Sequence, residues 1–269
     1  MAMTLPQKFA LGFFLICAAL WTALFVSHTT DGFYNYLFSF LFGLTPLVGG
    51  AVAMENSRVW GGLRSAVGKS VFFIGLGVFL WGIGEAIWSY YTFFLGVAAP
   101  YPSLADLGFA PSIFFYGLGA MFLARATGAK YFLRDHWYAK VFLVLGPVLV
   151  AIISYYVLVT VARQGAIVFE GDTSLKALLD IAYPLGDFVA LTVAVVVSGL
   201  SFKYLGGIYK MHIYAILLGL CVMFMGDTIF SYTTTVGSYY NANFGDLILA
   251  TGTFLLTFGV LGFYRLRDD

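Results

Sequence analysis

Eight apolar runs, at residues 9–27, 33–54, 70–95, 105–124, 141–162, 177–200, 211–234 and 246–264, divide the chain into segments close to the ~20 residues that carry a helix across a bilayer. Polar residues are too scarce to coat a water-soluble globule of this size, since 61% of the 269 residues are hydrophobic and only 10% are charged. The expected solvent is lipid. The expected fold is an all-α integral membrane domain, residues 1–269, of eight transmembrane helices. The uncharged stretch Phe9 to Ser27 is longer than an ordinary signal-peptide core, so it reads as an uncleaved first span.

The basic residues orient these spans. Lys8, Arg58, Arg64, Lys69, Arg125, Lys130, Arg134, Lys140, Lys203, Lys210, Arg265 and Arg267 fall on one side, and only Arg163 and Lys176 on the other. Cytoplasmic loops carry the excess of Lys and Arg, so a multi-pass protein of the cell (cytoplasmic) membrane with both termini in the cytoplasm is expected. With a net charge of +1 and no basic stripe, nucleic acid is not an expected partner.

The second half echoes the first. Gly84-Glu85-Ala86-Ile87-Trp88-Ser89-Tyr90-Tyr91-Thr92 lines up with Gly226-Asp227-Thr228-Ile229-Phe230-Ser231-Tyr232-Thr233-Thr234. Further on, Asp106, Leu107, Ala110, Phe114 and Gly119 match Asp246, Leu247, Ala250, Phe254 and Gly259. Four spans separate the copies, so the expectation is two parallel four-helix repeats, about 9–125 and 138–265, related by an axis along the membrane normal.

Six acids lie in or at the edge of these spans: Glu85, Asp106, Asp180, Asp187, Asp227 and Asp246. At 1.5 Å of rise per residue, Glu85 and Asp227 lie roughly 22 and 24 Å from the cytoplasmic boundary of a ~30 Å core, in its outer half. A carboxylate at a helix centre costs about 2.5–3.5 kcal/mol on insertion scales, so it should face the bundle interior, water or a partner. With no Lys or Arg expected in the outer half to pair with them, the outlets are protonation, a bound cation, or a network with Tyr, Ser, Thr and Trp. Asp106 and Asp246 open helices and read as caps. For Glu85, Asp187 and Asp227 a packing network and a ligand site remain open alternatives. Trp81 and Trp88 share a face with Glu85, and Tyr183 with Asp180 and Asp187. Pro184-Leu185-Gly186 is expected to open the sixth helix and free carbonyls for binding.

Other features carry less. Cys17 and Cys221 sit in apolar runs as small hydrophobes, and His28, His136 and His212 lack metal spacing. Gly75, Gly77, Gly82 and Gly84 follow no strand and read as close-packing positions for helices. No nucleophile and base stand at a defensible spacing, so no enzyme activity and no cofactor is expected.

Pro100-Tyr101-Pro102-Ser103-Leu104-Ala105-Asp106, with Gly117-Leu118-Gly119, Tyr183-Pro184-Leu185-Gly186-Asp187 and Gly237-Ser238-Tyr239, resembles the N-terminal multi-helix membrane sensory region of bacterial GGDEF/EAL and histidine-kinase signalling proteins. The resemblance covers roughly residues 70–267 and implies a sensor. As the chain ends a few residues past its eighth span, the implied output is a separate cytoplasmic signalling protein. The first expectation is therefore a membrane sensor or binding module with an outward-facing cavity for a cation or small amine. Its expected binding residues are Glu85, Trp88, Tyr90, Asp180, Tyr183, Asp187, Asp227 and Tyr232. A small cation- or proton-coupled transporter is the alternative, and an intramembrane enzyme is the least supported.

Overall fold

The computed structural model describes residues 3–127, 137–166, 173–201 and 209–265. Among them are eight helices long and apolar enough to cross a membrane, and no strand. We number them α1 (Leu5–Val26), α2 (Phe33–Asn56), α3 (Ala66–Ser89), α4 (Asp106–Ala126), α5 (Trp137–Ser154), α6 (Ser174–Ser201), α7 (Lys210–Thr235) and α8 (Phe244–Leu261). Each expected span falls on one of them. The α3 and α5 spans end in wider π-helical turns, Tyr90–Phe94 and Tyr155–Ala162. Lys130, Arg134, His136, Lys203 and Arg267 lie outside the described residues.

Local chemistry explains several boundaries. Thr4 caps α1 reciprocally with Gln7, its hydroxyl accepting from the Gln7 N–H while the Gln7 side chain accepts from the Thr4 N–H, and Pro6 sits in the first turn where its missing N–H is harmless. Asn243 accepts from the Asp246 N–H to start α8. Contrary to the expectation for the Pro184-Leu185-Gly186 segment, α6 is not opened: it runs unbroken from Ser174 to Ser201 with Pro184 inside it. A proline removes one ladder hydrogen bond, and the flanking turns carry the helix through.

Six helices make a ring in the order α2, α3, α4, α6, α7, α8, with α2 closing back onto α8. Helix α1 packs outside on α2 and α8, and α5 on α6. Glycines set the closeness of the α3–α4 and α7–α8 hairpins. A Cβ at Gly77 would stand 2.6 Å from the Tyr116 ring, one at Gly84 2.6 Å from Phe109, and one at Gly119 2.5 Å from Ile74. In the other hairpin a Cβ at Gly219 would stand 2.9 Å from Leu256, at Gly226 2.6 Å from Leu249, and at Gly259 2.6 Å from Ile216. Small residues let helices approach where lipid supplies no hydrophobic drive between them.

The end carrying the termini is tied shut. Gln7 bridges His212 and the Phe258 carbonyl, and Asn56 and Trp60 both donate to the Phe263 carbonyl. Arg265 lies over the Trp60 ring and donates to the Tyr209 hydroxyl. Toward the middle, Ile74, Val78, Ala120, Ile216, Leu220 and Val260 form a buried plug. Outside the ring, Phe9, Leu107, Phe114, Val144 and Leu178 stand exposed, as suits an apolar solvent.

Candidate functional site

Beyond the plug, toward the end away from both termini, the ring encloses a cavity of about 350 Å3. All six intraspan acids line it, with two bases, Arg163 and Lys176. The acids then divide by what they touch.

Three are satisfied by donors of the protein. Asp180 takes the Arg163 guanidinium at 3.0 Å, the Lys176 ammonium at 3.1 Å and the Tyr101 hydroxyl at 3.0 Å. The expectation that no base reaches the acids is therefore corrected. Lys176 stands four residues before Asp180 on the same helix face, and Arg163 reaches across from the end of the α5 span. Asp106 accepts from the Ser103 N–H at 2.7 Å and from the Tyr183 hydroxyl at 2.6 Å. Asp246 accepts from the Ala242 N–H at 2.7 Å and from Tyr239 at 3.4 Å. Each reaches back to the backbone just before its own helix, as the cap reading anticipated, and each also holds a tyrosine of the cavity wall. Burial, reinforced by Asp180, pushes the Tyr101 phenol up, and burial with Asp246 and Glu85 does the same for Tyr239. Both loop phenols therefore stay protonated donors at neutral pH.

The other three differ. Glu85 is 6% exposed, lines the cavity, and has no hydrogen-bond or ion-pair partner among the described residues. Helix α2 crosses it at Gly43, where any Cβ would lie 2.6 Å from the Glu85 Cγ, so the glycine leaves the room that the side chain occupies. Asp187 and Asp227 line the cavity together and also share a small void beside it. Together they close the deep end of the cavity.

Of the residues expected to bind, Glu85, Trp88, Asp180, Tyr183, Asp187 and Asp227 line this cavity, whereas Tyr90 and Tyr232 do not. These two are 54% and 44% exposed on the outer surface. Each follows its acid by five residues, about 140° around the helix, and so points away from the face that the acid shares with Trp88 or Phe230.

A second hollow of about 510 Å3 lies above the first, beside Thr30, Asp31, Tyr36 and Tyr240. Trp88, Tyr101, Phe230, Thr234 and Tyr239 line both hollows. Three of these rings, Trp88, Phe230 and Tyr239, meet edge to face with centroids 5.0–6.0 Å apart. Asn241 fixes the constriction, its side-chain oxygen accepting from the Trp88 indole at 3.2 Å and the Ser39 hydroxyl at 3.3 Å. Sequence reasoning missed Asn241, Tyr101 and Tyr239 as wall residues. Only the last two carried a signal, through the Pro-Tyr-Pro and Gly-Ser-Tyr motifs.

Among the described residues no group of three or more His, Cys, Asp or Glu side chains is placed to hold a metal ion. No protein family model, curated protein or solved structure matches the chain.

Proposed function

We propose that the protein is a multi-pass membrane protein whose cavity binds a small organic cation. One observation carries this reading: a buried acid, Glu85, lines the cavity with no partner among the described residues, and once ionised such a group calls for a cation. The walls suit an organic ammonium ion. Trp81 and Trp88 flank Glu85 on its own helix face and line the same space, offering ring faces to a desolvated cation. A hard metal ion would need more oxygens than converge on Glu85.

The cavity opens away from the termini, and the basic-residue asymmetry supports an opening that faces outside the cell. The two-repeat reading is supported by the glycine contacts. Gly77–Tyr116, Gly84–Phe109 and Gly119–Ile74 correspond position by position to Gly219–Leu256, Gly226–Leu249 and Gly259–Ile216, with spacings of 142 residues in the first helix and 140 in the second. Glu85 and Asp227 then occupy equivalent places. The sensory role rests on the sequence resemblance, with a separate cytoplasmic protein as output. A carrier is the second reading. It is favoured by a pocket of about 210 Å3 at the opposite end, lined by Trp60, Val71, Leu123, Tyr209 and Phe263.

The test is binding of radiolabelled benzyltrimethylammonium to right-side-out membrane vesicles containing the protein. Saturable binding is expected without permeabilisation, and none of benzylsulfonate, the anion of similar shape. Binding only after permeabilisation would reverse the orientation, and no binding in either state would overturn the cation reading. Label trapped in the lumen would decide for the carrier.

A further inference from the structure

The Asp187–Asp227 pair has no part in the cation contact proposed for Glu85, yet its surroundings are built. Asp187 and Asp227 line one small enclosed space, where two ionised carboxylates would repel, so a proton on one of them relieves the pair. Directly beside the pair is a small void of about 10 Å3, near the least space that holds one water. The Tyr116 side chain lines it, 2% exposed, and its hydroxyl has no hydrogen-bond partner among the described residues. A fully buried, unpartnered hydroxyl beside a carboxyl pair marks a place where something further bonds. The rest of the void is Ile113, Ala190, Leu220, Met223 and Phe224. Three oxygen-bearing side chains among five apolar ones are too few for a hard metal ion, which takes about six oxygens. They suffice for a proton and one water.

The charged and titratable groups around the pair are Glu85 from α3, Asp106 and Tyr116 from α4, Asp180 and Tyr183 from α6 itself, and Tyr239 and Asp246 before and on α8. Of these, Tyr116 lines the void with the pair, and Tyr183 donates its hydroxyl to Asp106. The two bases of the cavity, Arg163 and Lys176, are at Asp180, two helical turns nearer the mouth than Asp187. A cation entering the cavity thus adds positive charge to a site where the pair otherwise holds a proton.

We infer that the Asp187–Asp227 pair is a proton-binding site at the closed end of the cavity, discharged when the cavity takes up a cation, so that binding exchanges one proton for one organic cation. The exchange rests on the cation-binding reading, whereas the proton site stands on the pair, Tyr116 and the void. The released proton leaves through the open cavity to the outer solution. Charge in the enclosed space is unchanged, which removes the repulsion that a second uncompensated charge would meet there. By linkage, apparent affinity for the cation rises up to tenfold per pH unit while the pair titrates.

The test uses the full chain in detergent and benzyltrimethylammonium, whose fixed charge carries no dissociable proton. Binding is measured by calorimetry in buffers of different ionisation enthalpy, which counts protons released per probe bound. Infrared difference spectra follow the carbonyl stretch of protonated carboxyl groups. We expect a protonated-carboxyl band in the resting protein at neutral pH, its loss as the probe binds, and one proton released per probe. The doubly substituted Asp187→Asn, Asp227→Asn protein should lack that band and release no proton. If it fails to fold, the wild-type proton count and the pH dependence of affinity still decide. Probe binding with no proton released overturns the exchange and leaves the cation site standing. No binding with the band present overturns the cation reading and with it the exchange, and no band at neutral pH overturns the proton site whatever the probe does.

Discussion

Glu85→Gln is expected to weaken benzyltrimethylammonium binding about 100-fold while leaving the ligand-free protein as stable as before or more so. The amide keeps the shape of the side chain, so Gly43 and the α2–α3 crossing still fit around it. What is lost is the charge. Removing one member of a desolvated ion pair costs about 2–5 kcal/mol, of which about 2.7 kcal/mol corresponds to a 100-fold change. In the ligand-free protein the same carboxyl group is buried without a partner among the described residues, so a neutral amide of the same shape forfeits no interaction there. A loss of affinity without a loss of melting temperature separates a ligand site from a packing network, in which both would fall together. Glu55→Gln is the control, since Glu55 is an exposed surface residue paired with Arg58 at the other end. Equal affinities for wild type and Glu85→Gln, by calorimetry, would remove Glu85 from the site.

The second large effect concerns the hairpin that carries Glu85. Gly108→Ala is expected to destabilise the protein by about 3 kcal/mol, at the upper end of ordinary overpacking. A Cβ at Gly108 would fall onto the Gly84 nitrogen and lie 2.5 Å from the Leu80 carbonyl oxygen. Both are helix backbone, so no rotamer change can make room, and α4 must move off α3 one residue before Glu85. Gly117→Ala on the same helix is the comparison, because its Cβ would meet only Val189 at an ordinary 3.7 Å. Thermal unfolding in detergent should show a large loss for the first and almost none for the second. Similar melting temperatures for both would mean that α3 and α4 are not as closely packed as described.

Much of this was legible in the sequence because bilayer-length apolar runs leave few alternatives. The run 33–54 became α2 at Phe33–Asn56 and 211–234 became α7 at Lys210–Thr235, since helix-length periods with polar breaks fix spans well. The separation of Asp106 and Asp246 from Glu85, Asp187 and Asp227 was also readable, because the first two open helices and the others lie further in. What failed did so for geometric reasons. Tyr90 and Tyr232 are near their acids in sequence but about 140° away around the helix. Arg163 meets Asp180 across a chain reversal that no local spacing reports, although Lys176 at i,i+4 was there to be seen. Asn241 is a loop residue whose importance arises only when α2, α3 and the α7–α8 connection converge on it.

Cation binding at Glu85 is tested by locating the cation itself. Crystals of the protein with 4-bromobenzyltrimethylammonium, measured at the bromine absorption edge, give an anomalous peak wherever the probe binds. One strong peak is expected inside the ring of α2, α3, α4, α6, α7 and α8, with the ammonium density against Glu85 and between Trp81 and Trp88. A peak confined to the outer surface or to the pocket at Trp60 and Tyr209, with the Glu85 cavity holding none at saturating probe, would contradict it.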